Sequence, residues 1–435
     1  MAGGRFNSYW WALYRGSPRY NPMKALVVGN GAREHAIAKK LSEEQLELYS
    51  AMSRVNPGIA GLSKEVALLD LNNPESYSRF YDVDIAFIGP EAPLAAGVVD
   101  YLADMGVATV GPSREAARLE WSKAYARQFL EAQGIPGNPE FKVCRSMGEV
   151  KGFLDRHPEV AVKPDGLTGG KGVKVAGEHL HGREEVEAYC AERIAMDGLV
   201  VLEEKLEGRE FTLQAYCDGR NLRFMPLVRD YKRAYDNDEG PNTGSMGSFS
   251  CPDHGLPDLD EGVVEEGKRI MRETVKAMRL RGEEYKGVLY GGFMATARGT
   301  FLLEYNCRFG DPEAINVLSI QEKPLTEVGF GIVEGRLPGF GFEEQATVCV
   351  YLVPEGYPTN PVRDQPIQVG EGIKSEVYYA SVYDDNGVIR TTGSRAVALL
   401  GKGETVPVAR GRVYRDVGKV VGRLRYRRDI AAGIQ

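Results

Sequence analysis

Between Lys24 and Leu41 three signals follow one another without a break: an apolar run from Lys24 to Val28, the turn Gly29-Asn30-Gly31, and apolar residues at helical spacing from Glu34 to Leu41. A short apolar run closed by glycines is a buried strand, and the repeat behind it is a helix, so the segment reads as strand, turn, helix. The unit returns. Asp84 to Ile88 is a second buried strand ending in Gly89-Pro90-Glu91, a helix is expected from about Ala95 to Met105, and Ala108 to Val110 is a further strand before Gly111-Pro112. Alternation of this kind dictates a parallel sheet whose loops gather at the carboxyl ends of the strands.

The 435 residues, 43% of them hydrophobic, exceed what one compact domain holds, so two or three domains are expected. From Ser122 a helix carries Lys123 through Glu131 and is stopped by Gly134-Ile135-Pro136. Strands at Val160 to Lys163 and Val173 to Val175 then flank a glycine loop, and strands at Leu199 to Glu203 and Glu210 to Tyr216 flank a polar hinge. These pairs are antiparallel in character, unlike the first domain. A polar, turn-rich stretch from Asp230 to Pro257 precedes an amphipathic helix from about Glu261 to Met278 and strands at Gly287 to Thr296 and Thr300 to Asn306. The last hundred or so residues are strand-rich, with Gly356-Tyr357-Pro358 and Asp385-Asn386-Gly387 as turns. The expected division is a possible extension over 1–22, an N-terminal α/β domain over 23–122, a two-lobed α+β domain over 123–328 with its small lobe at about 136–205, and a strand-rich domain over 329–435.

Lys and Arg total 54 against 61 acidic residues, a formal charge of -7, which leaves no electrostatic footprint for nucleic acid or an anionic membrane. Phosphate binding must be local. The six cysteines are scattered without a Cys-x-x-Cys pair, as in a reduced cytoplasmic protein, and no apolar run approaches the roughly 18 residues of a membrane span. The first 22 residues carry Trp10-Trp11 with tyrosines and arginines but no continuous apolar stretch, and read as an extension outside the fold.

Three segments could carry chemistry. The loop from Lys163 to Gly172 holds four glycines and two lysines between two strands, which lets backbone approach phosphates closely while the lysines neutralise them. It is not a Walker A loop, because Gly172 stands where the hydroxyl residue belongs and a strand follows. The hinge from Val201 to Phe211 could present backbone groups to an adenine edge and a carboxylate to ribose. Leu302-Leu303-Glu304-Tyr305-Asn306 alternates at strand period, so Glu304 and Asn306 share a face as two oxygen ligands of a hard cation would, with Arg308 two residues on. Alone, the glycine loop favours nucleotide over a flexible hairpin tip by only about two to one, the hinge reads more simply as solvated surface, and the strand face as ordinary hydrogen bonding.

Their order, with Lys123 upstream, resembles the ATP-grasp fold, in which two α+β lobes hold ATP between them. Closer still, the stretches from Leu26 to His35, Ile88 to Leu94, Gly240 to Gly247 and Asn306 to Glu313, with Gly356-Tyr357-Pro358 and Arg428-Asp429-Ile430, resemble the phosphoribosylamine-glycine ligase family of purine biosynthesis from Met23 to the end. The resemblance implies glycine and 5-phosphoribosylamine as substrates, ATP with magnesium or manganese, and a cytoplasmic monomer or weak homo-oligomer. It implies Glu304 and Asn306 as metal ligands, Lys123 and Lys163 as phosphate contacts, and Gly166, Gly169, Gly170, Lys171 and Gly172 as the phosphate loop. Glu203 to Leu206 would meet adenine and Glu210 the ribose. Gly29, Asn30, Gly31, Arg33, Glu34, Gly89, Pro90, Glu91, Asn242, Thr243 and Gly244 would face the phosphoribosylamine. Arg308, Lys163, Asp311 and Glu313 would act on the reacting groups.

The chain departs from the family pattern at Trp121, Pro164, Tyr231 and Ser245; the last matters most, because a glycine-only backbone angle is costly for serine. Three rivals stay open: another ATP-grasp carboxylate-amine ligase, a dinucleotide oxidoreductase suggested by Gly29-Asn30-Gly31, and a binding protein without chemistry. The second is weakened by Glu34 standing at the third fingerprint glycine. The third should have lost one of Lys163, Glu304, Asn306 or Arg308, and all are present. His179 and His181 lack a third metal ligand nearby.

Overall fold

The computed structural model describes residues 22–167 and 172–434; residues 1–21 and Gly169, Gly170 and Lys171 of the glycine loop lie outside that range. The opening units form a five-stranded parallel sheet in the order Glu65–Leu68, Leu46–Met52, Met23–Val28, Ile85–Ile88, Ala108–Val110. The chain builds outward from Met23–Val28 on one side and then returns to its other side. The turns after Met23–Val28 and Ile85–Ile88 therefore meet at the topological switch point, where sheets of this kind open a crevice. Glu34 fills the space between them. Its carboxylate accepts the Gly31 amide at 2.6 Å, and a Cβ at Gly29 or Gly89 would come within 2.5 or 2.2 Å of its side chain. The helix expected from Ala95 to Met105 is instead two, Glu91–Ala96 and Val98–Asp104, broken by Gly97 at a left-handed φ of +87°.

The small lobe is an antiparallel sheet in the order Phe141–Cys144, Val200–Glu204, Val160–Pro164, Lys174–Val175, backed by the helices Met147–Leu154 and Arg183–Asp197. The large lobe is a second antiparallel sheet, Leu222–Phe224, Arg209–Asp218, Lys286–Thr296, Gly299–Asn306. The amphipathic helix Glu261–Leu280 packs on it through Val264, Ile270, Met271, Val275 and Met278.

The turn-rich stretch near Asp230 is not merely a connection. Its strands Arg229–Asp230 and Gly247–Ser250 join Ala346–Pro354, Val397–Gly403 and Glu376–Tyr379 in the C-terminal sheet. Ala346–Pro354 is buried at every residue, which explains why it is apolar throughout except at Thr347. The helix Val406–Val417 covers this sheet, an element the strand-rich reading of the tail does not include. At Asp385-Asn386-Gly387 the hairpin turns through two left-handed residues, Asn386 and Gly387, as that sequence demands.

Buried apolar side chains fall into two bodies. One runs without a break through the parallel sheet, the large lobe and the C-terminal sheet; the other is confined to the small lobe. Among the described residues no helix is long and apolar enough to cross a membrane.

Candidate functional site

A cleft of about 360 Å³ opens where all four regions meet. Arg33 and Glu91 reach it from the parallel sheet, Glu203 from the small lobe, Glu304 and Asn306 from the large lobe, and Arg395 from the C-terminal region.

Its back wall is set by an irregularity in one strand. Gly292 pairs with Glu304 but Phe293 pairs with Leu302, so Leu303 is an extra residue on its strand. A bulge of this kind leaves main-chain groups without ladder partners. The Leu303 carbonyl accepts instead from Lys163 Nζ at 2.8 Å, reaching across the cleft from the small lobe, and from Arg127 Nη2 at 2.7 Å, on the helix Lys123–Ala132. The same two cations grip Glu203. Arg127 donates through Nε and Nη2 to its two oxygens at 2.7 and 2.8 Å, and Lys163 lies 2.8 Å from Oε2. Burial opposes the charge on Glu203, yet Arg127 and Lys163 outweigh it and hold its carboxyl below the usual range. The Glu203 side chain is thus committed to this cluster.

The mouth of the glycine loop is tied to the helix Lys123–Ala132. Asp165 accepts from Ser122 Oγ and the Ala124 amide, each at 3.1 Å, at a helix N-terminus that favours a carboxylate. Lys123 Nζ donates to the Gly166 carbonyl at 2.5 Å.

Beyond the bulge, Glu304 is exposed to the cleft and Asn306 follows on the same face, its Nδ2 3.4 Å from Glu304 Oε1. Two adjacent hard oxygen donors fit a magnesium or manganese ion shared with nucleotide phosphates, which needs few protein ligands. Arg308 donates to Asn306 Oδ1 at 2.9 Å and lies 3.2 Å from Glu120 and 3.5 Å from Glu91. Burial disfavours its charge, but the two carboxylates more than compensate and raise its pKa. Burial pushes Glu120 up, whereas Arg308 and Arg33 overcome burial at Glu91 and draw it down. Arg308 is therefore a fixed cation whose Nε, though buried, has no hydrogen-bond partner among the described residues and only the Glu91 carboxylate at 3.5 Å as its ion pair.

Asp311 accepts from Tyr351 at 2.5 Å and pairs with Arg395 at 3.1 Å. Glu313 is buried beside Tyr290, which donates to it at 3.0 Å. Burial first, then the charge of Asp230, pushes Glu313 up to about 7. It can exchange a proton near neutrality.

Of the residues singled out in the sequence, Lys123, Glu203, Arg33, Glu91, Thr243, Gly244, Glu304, Asn306, Arg308, Asp311 and Glu313 line the cleft. Lys163 stands just behind them through Glu203 and Leu303. The turns Gly29-Asn30-Gly31 and Gly89-Pro90 support the wall through Glu34 and are not part of the lining; neither are Gly166, Gly172 and Leu206. Asn242 pairs with Arg233 in a hairpin, and Glu210 binds Lys232 at 2.7 Å. His179 Nδ1 accepts the Val175 amide at 3.2 Å, an ordinary turn contact. Sequence reasoning missed Arg127, Glu120, Lys232, Tyr290 and Arg395. Arg127 alone had a signal, standing four residues after Lys123 and so on the same helix face.

The departures are accommodated locally. Ser245 does adopt a left-handed φ of +88°, and its hydroxyl donates to the Gly247 carbonyl at 2.8 Å while accepting from the Gly247 amide at 3.3 Å. Tyr231 accepts the Ala431 amide at 3.0 Å, and Trp121 Nε1 donates to the Arg114 carbonyl at 3.2 Å.

Comparison with known proteins gives a consistent result along the chain. Residues 23–120 match the family model described as phosphoribosylglycinamide synthetase, N domain; residues 121–314 match its ATP-grasp (A) domain and 347–433 its C domain. The chain is 48% identical over 416 residues to the phosphoribosylamine-glycine ligase of Pyrococcus abyssi, covering 94% of each. It is 47% identical to that of Thermococcus gammatolerans over the same share of both. The crystal structure of phosphoribosylamine-glycine ligase from Thermotoga maritima superposes with a TM-score of 0.81 at 28% identity, covering 94% of this chain and all of that one.

Proposed function

The chain belongs to the phosphoribosylglycinamide synthetase family, and from that premise we propose that its cleft joins glycine to 5-phosphoribosylamine at the expense of ATP, giving glycinamide ribonucleotide, ADP and phosphate. The observation that carries this reading is the convergence of Glu304, Asn306 and Arg308 with Arg33 and Glu91 on one cleft. That convergence supports phosphate chemistry and acceptor binding at a common centre.

A carboxylate is a poor electrophile, because attack by an amine would have to expel an oxide. The ligase first makes it a good one. A carboxylate oxygen of glycine attacks the γ-phosphorus of ATP, the bond to ADP breaks, and glycyl phosphate forms. The amine of phosphoribosylamine then attacks the carbonyl carbon, phosphate leaves, and the nitrogen gives up a proton. Magnesium or manganese held by Glu304 and Asn306 would neutralise the nucleotide phosphates. Arg308 supplies fixed positive charge to the phosphoryl group in flight, and Lys163, locked by Glu203 and Leu303, adds its charge from behind. Glu313, with a pKa of about 7, takes the proton the amine loses. Asp311, braced by Tyr351 and Arg395, orients an ammonium group beside it.

ADP release is measured with glycine, ATP and phosphoribosylamine generated in situ, omitting each in turn; full turnover requires all three. Turnover with another amine but none with phosphoribosylamine would leave an ATP-grasp ligase of different acceptor. The Glu304→Gln variant should lose about a hundredfold in kcat with its fold intact. Near-normal turnover at saturating magnesium would remove Glu304 from the metal site.

A further inference from the structure

The segment Arg427-Arg428-Asp429 lies outside the cleft lining, yet it grips the end of a hairpin whose base is part of that lining. The hairpin pairs Arg233 with Asn242 and Tyr235 with Glu239. At its base the Thr243 amide and hydroxyl both donate to the Lys232 carbonyl, at 2.7 and 2.8 Å, so Lys232 and Thr243 enter the cleft as a unit. At its tip Asn237 and Asp238 stand consecutively at left-handed φ angles of +60° and +54°. Two such residues in succession are unfavourable without outside support, even for Asn and Asp.

The C-terminal segment supplies that support. Arg427, 1% exposed, donates through Nε and Nη2 to both oxygens of Asp429 at 2.8 and 2.6 Å, and through Nη1 to Asp238 at 2.7 Å and the Arg233 carbonyl at 3.1 Å. The Asn237 amide donates to Asp429 Oδ2 at 2.8 Å, and the Arg428 amide to Asp236 Oδ1 at 2.8 Å. The clamp is itself anchored: Tyr414 donates to the Arg427 carbonyl at 2.6 Å and Arg410 to the Arg428 carbonyl at 2.6 Å. A guanidinium fork is suited to such a node because its donors have fixed directions, which a lysine ammonium does not reproduce.

We propose that Arg427, with Asp429, is a positioning residue for the acceptor side of the cleft: by fixing the hairpin tip it sets Thr243 and Gly244 against the incoming amine substrate. The assignment of that substrate rests on the function proposed above; the clamp does not. In Arg427→Lys, hydrogen-deuterium exchange at the Thr243 and Met246 amides should accelerate while small-lobe amides keep their wild-type rates. The KM for phosphoribosylamine should rise about tenfold and that for ATP stay within about twofold, since misplacement of a substrate-facing group by a fraction of an ångström weakens the contacts it makes. Asp238→Asn, at the exposed tip, tolerates the same backbone angle and should give a smaller change of the same pattern, which decides the matter if Arg427→Lys does not fold. Unchanged exchange over 231–247 in the folded variants, or equal rises in both KM values, would overturn the proposal. If the wild-type enzyme uses a different amine, the exchange measurement still tests the clamp and the failure belongs to the substrate assignment.

Discussion

Cys144, Phe153, Val162, Cys190 and Leu202 pack into a core of their own, whereas Leu26 of the parallel sheet, Phe293 of the large lobe and Val350 of the C-terminal sheet belong to one continuous apolar body. The small lobe meets that body through a different kind of contact. Glu203 with Arg127, Lys163 with the Leu303 carbonyl, Asp165 at the N-terminus of Lys123–Ala132, and Arg298 with Glu204 make up a polar seam. Sliding an apolar interface exposes area at about 25 cal/mol per Å², while a hydrogen bond to a charged group loses about 1.5–3 kcal/mol net when it is exchanged for water. The lesson is mechanical. Three regions form a platform that fixes Glu304, Arg308 and Glu313 relative to one another, and the fourth is a cover fastened by exchangeable bonds.

The strongest way to break this comparison is to hollow out each core separately. Phe249→Ala, in the platform, and Phe153→Ala, in the small lobe, should each cost roughly 3–5 kcal/mol. Exchange measurements should show the first loosening the molecule from the parallel sheet to the C-terminal sheet, and the second only residues of the small lobe. A single cooperative loss in both variants would mean that there is one folding unit. Glu203→Gln attacks the seam instead. It leaves Arg127 and Lys163 buried without a counter-charge, a loss of about 3 kcal/mol or more, visible in thermal unfolding and as a raised KM for ATP.

A milder test separates the platform's internal joints from the seam. His35 accepts the Tyr379 amide at 2.8 Å between the parallel sheet and the C-terminal sheet, and burial, helped by Lys39, lowers its pKa from 6.5 to about 4. The unfolded chain therefore binds the proton more readily than the folded one. The stability from neutral His35 is complete above pH 6.5 and is lost as pH falls through 4, by an amount on the order of 3 kcal/mol. Denaturant titrations of His35→Gln should lack that part of the pH slope, while small-lobe exchange stays unaffected. Smallest of all, Ser245→Ala keeps the left-handed backbone and loses the hydroxyl bridge, for about 1 kcal/mol of stability, whereas Ser245→Gly should fall within about half of that.

Much of the platform could be read from the chain because its signals are local. Gly29-Asn30-Gly31 and Gly89-Pro90-Glu91 announce a parallel sheet and its crevice, and the alternation at Glu304 and Asn306 puts both on one face. What stayed hidden depends on pairing between distant segments. Gly247–Ser250 looks like part of a polar connection, since its place in a sheet comes from pairing with Arg229–Asp230 on one side and the distant Ala346–Pro354 on the other. Arg395 reaches Asp311 across 84 positions of sequence, from a loop with no distinguishing pattern. Glu203 looks like one end of an adenine hinge, and its burial between two cations depends on how the lobes dock. Leu303 reads as one more apolar residue in a strand, because a bulge is a mismatch between two strands and neither carries it alone.

That bulge has a consequence for how the site withstands change. The acceptor that Lys163 reaches across the cleft, and that Arg127 shares, is a main-chain oxygen, so it is encoded by register and not by the identity of residue 303. Any side chain tolerated there keeps it, and a scan of substitutions along the strand would pass over it. Removing it takes a change of a different order: a one-residue deletion that restores even pairing with Lys286–Thr296, or an ester in place of the amide that follows Leu303 to weaken the carbonyl as an acceptor. The two halves of the cleft are thus joined at a point that point mutation of its own residue does not erase.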